Sequence, residues 1–103
     1  MTVRVVFSPE AEADLLALYS SIASRATPAI AVGFVDQIVD FCQGFSTFPN
    51  RGTRREEIRP GLRTIGFRHQ VTIAFSVEGH IVSIIGIYYG GRDVETMLRD
   101  TPD

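Results

Sequence analysis

The sequence predicts an α+β domain: an antiparallel helical hairpin packed on one face of a mostly antiparallel sheet, in the order β-α-α-β-β-β. Three observations carry this. Two proline-led helix starts are each followed by an apolar stripe of helical period. Three strand-like runs follow residue 61, separated by turn residues. A short β-branched run opens the chain.

In chain order, residues 2–7 (TVRVVF) read as a short strand. Ser8-Pro9-Glu10 then gives an N-cap hydroxyl, a first-turn proline and an acid near the positive helix end. Ala11, Leu15, Leu18, Tyr19 and Ile22 recur at helical spacing to about Arg25, with Glu12 and Asp14 off that stripe. Thr27-Pro28 repeats the start signal. Ile30, Phe34, Val35, Ile38, Phe41, Cys42 and Phe45 form the second stripe, which Pro49 stops. With almost no linker, the two helices must fold back with their stripes facing one another. Residues 49–61, rich in Pro, Gly and Arg, read as a connection.

Leu62–Phe67 is the next predicted strand. Residues 70–77 alternate, with Val71, Ile73, Phe75 and Val77 on one face. Glu78-Gly79 marks a tight turn. Residues 80–89 are apolar on both faces: Ile81, Ser83, Ile85, Ile87 and Tyr89 on one, Val82, Ile84, Gly86 and Tyr88 on the other. Such a strand is expected at the centre of the sheet. Gly90-Gly91 ends it, and residues 92–99 suggest a short terminal helix.

The 103 residues allow one domain, with no internal repeat or boundary. The longest apolar stretch, residues 81–89, is too short for a membrane span. The opening residues do not resemble a signal peptide, and the single cysteine offers no internal disulfide. These features point to the cytoplasm.

Charge is distributed unevenly. All ten basic residues are arginine. Residues 1–50 carry two Arg against five acids, whereas residues 51–68 carry six Arg against Glu56 and Glu57 alone. The net charge of −2 therefore hides a local basic cluster. Two readings stand: a solvated face, or a patch for an acidic partner or phosphate backbone.

Enzymatic constellations are missing from the sequence. His69 and His80 have no Cys or carboxylate at ligand spacing, so neither a metal nor another cofactor is expected. Cys42 falls on an apolar stripe as a small core residue. There is no nucleophile elbow or phosphate loop. The segment Tyr88-Tyr89-Gly90-Gly91-Arg92-Asp93 remains, read either as an internal clamp or as a polar partner surface. Together these features favour binding of macromolecules over processing of a small molecule.

The chain resembles the ParE toxins of type II toxin–antitoxin modules, within the RelE/ParE superfamily. Ser8-Pro9-Glu10-Ala11 with Asp14-Leu15, Phe48-Pro49 before Gly52, and Arg59-Pro60-Gly61-Leu62-Arg63 carry the likeness. So do Ile73-Ala74-Phe75-Ser76-Val77 and Ile84 through Asp93. The resemblance spans nearly the whole chain and implies the fold derived above as a single toxin domain, residues 1–103. It implies a ParD-like ribbon-helix-helix antitoxin as partner in a hetero-oligomer, and DNA gyrase as the target, with no catalytic residue and no direct DNA binding by this chain. The residues expected at partner contacts are Arg59, Arg63, Arg68, Tyr88, Arg92 and Asp93. The alternative is RelE-like ribosome-dependent cleavage of messenger RNA, with Arg63, Arg68, Arg92 and a strand tyrosine at the phosphate. The absence of lysine and the negative net charge favour the ParE branch.

Overall fold

The computed structural model describes residues 3–90 and 98–99. Strand β1 (Arg4–Phe7) leads into helices α1 (Pro9–Arg25) and α2 (Pro28–Gln43), then a single 3-10 turn, Gly44–Ser46. Strands β2 (Thr53–Arg54), β3 (Leu62–Phe67), β4 (Val71–Glu78) and β5 (Ile81–Tyr89) follow. Both helix starts form as expected. The Ser8 hydroxyl accepts the Ala11 N–H at 3.0 Å, and the Thr27 hydroxyl accepts that of Ile30 at 3.1 Å. Each cap is followed by proline at the first helical position, where no donor is lost.

The five strands lie in the order β1-β5-β4-β3-β2, all antiparallel except the β1–β5 pair. Two expectations change here. The connection at residues 49–61 contributes the two-residue edge strand β2, which pairs Thr53 with Thr64 and Arg54 with Arg63. The middle strand is β4, with β5 between β4 and β1.

The faces of β5 also differ from simple alternation. Its register with β4 slips between Ala74 and Phe75, where Gly86 opposes Ala74 and Ile84 opposes Phe75. Ile85 is thus an extra residue, a β-bulge that reverses the side-chain parity beyond it. Val82 and Ile84 before the bulge, and Ile87 and Tyr89 after it, join the core under the helices. Ile85 and Tyr88 join a second cluster with Leu62, Ala74, Leu98 and Ile58. Apolar side chains on both faces are therefore used, but in sets that alternation alone does not predict.

The main core is aromatic at one end. Phe45 and Phe75 stack at 4.6 Å between centroids, Phe41 meets Phe45 at 5.5 Å, and Phe67 meets Phe41 at 5.0 Å. Cys42 is buried among them, and desolvation pushes its thiol up to about 12, as befits a small core residue. Ile30, by contrast, leaves its expected place on the stripe and is exposed.

Two tight turns close the hairpins. The β4–β5 turn uses Gly79 at φ +59°. The β3–β4 turn instead places Arg68 and His69 at φ +53° and +60°. For residues with a Cβ, that left-handed backbone costs on the order of 1 kcal/mol or more each.

Candidate partner-binding surfaces

The connector between α2 and β3 is held down largely by its own arginines. The Arg51 guanidinium lies 5.0 Å from the Phe41 ring centroid and 5.4 Å from that of Phe45. The Arg51 carbonyl accepts a hydrogen bond from Arg63 Nη1 at 3.2 Å. Arg55 Nε donates to Thr64 Oγ1 at 3.3 Å, and its Nη1 lies 3.6 Å from Glu57. The Gly61 N–H donates to Glu56 Oε2 at 3.0 Å. Arg59 Nη2 donates to the Leu98 carbonyl at 3.3 Å. An irregular, Pro- and Gly-rich segment has few backbone bonds of its own, so side-chain donors must tie it to the sheet. Much of the basic cluster therefore has a structural task, while the exposed Arg54 and Arg68 extend it outward.

The residues expected at partner contacts fall on different surfaces. Arg63 pairs with Phe75 across β3–β4 and so lies on the helix-facing side of the sheet. Tyr88 packs on the opposite side, 7% exposed. Arg59 is on that opposite side too, through its bond to Leu98. Arg68 sits at the β3–β4 tip, its guanidinium 5.5 Å from the Phe67 ring centroid. Arg92 and Asp93 lie outside the described residues, as does most of the expected terminal helix. Of that segment only Leu98 and Arg99 are described, both helical. Leu98 is fully enclosed and its carbonyl accepts the Arg59 bond, whereas the clamp expected of Arg92 or Asp93 falls outside the described residues.

Tyr88 owes its position to Gly86. The ring folds back along β5 over that glycine, and a Cβ there would sit 2.7 Å from the Tyr88 Cζ and closer still to its hydroxyl. Burial raises the phenol above its ordinary range; the Asp14 carboxylate adds to the rise and Arg59 opposes it. Gly86→Ala is expected to displace the ring from its slot and cost about 1–3 kcal/mol. Urea denaturation followed by circular dichroism measures this, and an unchanged midpoint would show that the ring moves freely.

Asp14 is the side chain that sequence reasoning misplaced. It was expected off the packed stripe, yet it is half-buried and its Oδ2 accepts the Ile87 N–H at 3.0 Å. The cause is topological. β1 leaves the sheet after Phe7, so beyond Ile84 the β5 edge has no strand beside it among the described residues. Ser8 and Asp14 cover part of that edge, the Ser8 hydroxyl donating to the Ile85 carbonyl at 3.0 Å. Beside them a cleft of about 120 Å³ is lined by Asp14, Ala17, Leu18, Ser21, Ile87 and Tyr89. The only available hint was that Asp14 lies one helical turn before the core residue Leu18.

Apolar side chains are also exposed on the helical hairpin: Leu16 of α1, and Ile30 and Val32 of α2. Phe48 in the connector is 67% exposed. Ile30 and Val32 flank the buried Ala31 on opposite sides of α2, so these groups are separate apolar contacts on the hairpin. No described helix is long and apolar enough to cross a membrane. Among the described residues, no group of His, Cys, Asp and Glu could hold a metal ion.

Comparison with known proteins agrees with this architecture. A chain from the chromosomal ParDE toxin–antitoxin system of P. aeruginosa superposes with a TM-score of 0.75 at 26% identity, covering 86% of this chain and 97% of that one. A chain of the RelBE2 toxin–antitoxin complex of Mycobacterium tuberculosis shares the fold, with a TM-score of 0.59 at 20% identity, covering 86% and 99%. No curated protein sequence matches. Residues 5–94 match the family model described as the ParE toxin of the type II toxin–antitoxin system parDE. That match takes in both helices and every strand from Val5 onward, and the chain belongs to the ParE toxin family.

Proposed function

We propose that this chain arrests growth by binding DNA gyrase without catalysing a reaction, and that a ParD-like antitoxin neutralises it in the cytoplasm. The observation that carries the non-catalytic reading is the separation of the groups a ribonuclease would need. Metal-free RNA cleavage requires a base, a phosphate-binding cation and a proton donor within reach of one phosphodiester. Arg63 and Tyr88 lie on opposite faces of the sheet, and Arg68 stands at a hairpin tip. Tyr88 is buried, and Arg63 is engaged by the Arg51 carbonyl.

Two surfaces support an antitoxin partner. The exposed Leu16, Ile30 and Val32 offer separate apolar contacts on the helical hairpin. Past the Ile85 and Ile87 groups that Ser8 and Asp14 engage, the end of the β5 edge offers backbone to an added strand. The remaining exposed arginines of the connector would draw an acidic antitoxin segment by long-range attraction. Supercoiling by purified gyrase tests the reading. Inhibition with trapped cleaved DNA, relieved by the antitoxin, is expected. Unimpaired supercoiling together with messenger RNA cleavage in a translating extract would transfer the function to the ribosome.

A further inference from the structure

We propose that the β3–β4 hairpin tip, Arg68-His69, grips an acidic protein surface on the cellular target of this toxin, separately from the surfaces offered to an antitoxin. This rests on the chain being a toxin but not on which target it poisons. The starting point is a mismatch between residue and backbone. Among the described residues, every other positive φ belongs to a glycine: Gly52, Gly61, Gly79 and Gly90. At the β3–β4 tip alone, two consecutive residues with side chains take that conformation. Asn-Gly would satisfy the same turn with little strain.

The strain brings little packing in return, the Arg68 guanidinium over the Phe67 ring. Both side chains are exposed. Among the described residues, the Arg68 guanidinium lies over the ring of its neighbour Phe67, and His69 makes no hydrogen bond, ion pair or ring contact. Strained residues whose side chains contribute so little to the fold mark places where function holds the sequence.

The mount beneath them is firm. The Gln70 N–H donates to the Phe67 carbonyl at 3.3 Å, and the Gln70 carbonyl accepts the Gly90 N–H at 2.9 Å. Phe67 is wedged against Phe41 at 5.0 Å and Phe34 at 6.3 Å. A guanidinium and an imidazole are thus presented from a braced tip, with little ordering left to be lost on binding.

The chemistry of the occupant follows from charge. Residues 66–71, GFRHQV, carry no acid, and the guanidinium fork matches a carboxylate in two-point geometry. The net charge of −2 disfavours the approach of a polyanion such as nucleic acid more than that of a protein bearing one local carboxylate cluster.

Two double variants test the proposal, each read by melting temperature, antitoxin affinity and potency of growth arrest on induction. R68N/H69G relieves the strain and removes both groups. It is expected to melt on the order of 5 °C higher, to keep antitoxin affinity, and to lose about tenfold or more in potency. R68K/H69R retains positive charge on the same backbone and is expected to keep most of the arrest. Full arrest by R68N/H69G, a lower melting temperature for it, or a wild-type chain that does not arrest growth would each overturn the proposal. Equal loss in the two variants would overturn the acidic partner. Gyrase supercoiling with the wild-type chain separates failure of the gyrase reading, because growth arrest is scored whatever the target.

Discussion

Phe45→Ala is expected to lower the unfolding free energy by about 4 kcal/mol, within the range for removing a buried phenylalanine. Phe45 is completely enclosed and belongs to a three-residue 3-10 turn, so local hydrogen bonding contributes little to its place. Its ring joins three parts of the molecule. It stacks on Phe75 of the middle strand at 4.6 Å, meets Phe41 of α2 at 5.5 Å, and supports the Arg51 guanidinium at 5.4 Å. Truncation leaves a cavity whose walls belong to a helix and a sheet, which cannot both close in. It also removes half of the aromatic seat under Arg51, adding about 0.5–1 kcal/mol. Against a total stability of roughly 5–15 kcal/mol, this single change leaves a marginal fold. Phe48, three residues on, is the matched control: 67% exposed, its replacement by alanine should stay within about 0.5 kcal/mol. Urea midpoints of the two variants measure the difference. Equal shifts would mean that the aromatic cluster does not hold the connector.

Gly52→Ala is expected to cost about 3 kcal/mol or more, through backbone rather than core. Gly52 has φ +73°, where a side chain is strained. A Cβ there would also lie far inside van der Waals contact with the Thr64 carbonyl oxygen and 3.0 Å from the Ile65 Cβ. The obstacle is the backbone of β3, fixed on its other side by the ladder to β4, so neither partner can yield cheaply. Gly79→Ala separates the two contributions. Its φ of +59° imposes the conformational cost, but nothing lies within 4 Å, so the loss should stay near 1 kcal/mol. Gly33 in α2 should respond in the opposite sense, since added methyl there meets open space and alanine favours a helix by about 0.5–1 kcal/mol. Thermal melts of the three variants order them; a Gly52→Ala loss no larger than that of Gly79→Ala would refute the close approach.

The stability of this fold and its candidate binding surfaces are entangled at the connector. Arg51, Arg55, Arg59 and Arg63 fasten it to the sheet, so substituting them tests the fold and the partner together. Arg68 at the tip and the exposed apolar groups of the helices can be changed with less consequence for packing.

The sequence by itself determined the two capped helices, the span of β3 and the family. Each depends on residues that are neighbours along the chain. Ser8 and Thr27 cap the turn that follows them, and the apolar stripes repeat within one helix. Only the tertiary structure decided the β5 faces, the role of Asp14 and the use of the arginines. Ile85 becomes a bulge because β4 and β5 must each reconcile a face with the helices. Asp14 turns inward because β1 leaves the β5 edge at Ile84, and the Ile87 N–H that it receives lies 73 residues further along the chain. Arg59 and Arg63 are committed by carbonyls of Leu98 and Arg51. A backbone donor or acceptor left open by the topology belongs to no local pattern. It is satisfied by whichever side chain the finished fold brings within hydrogen-bond reach.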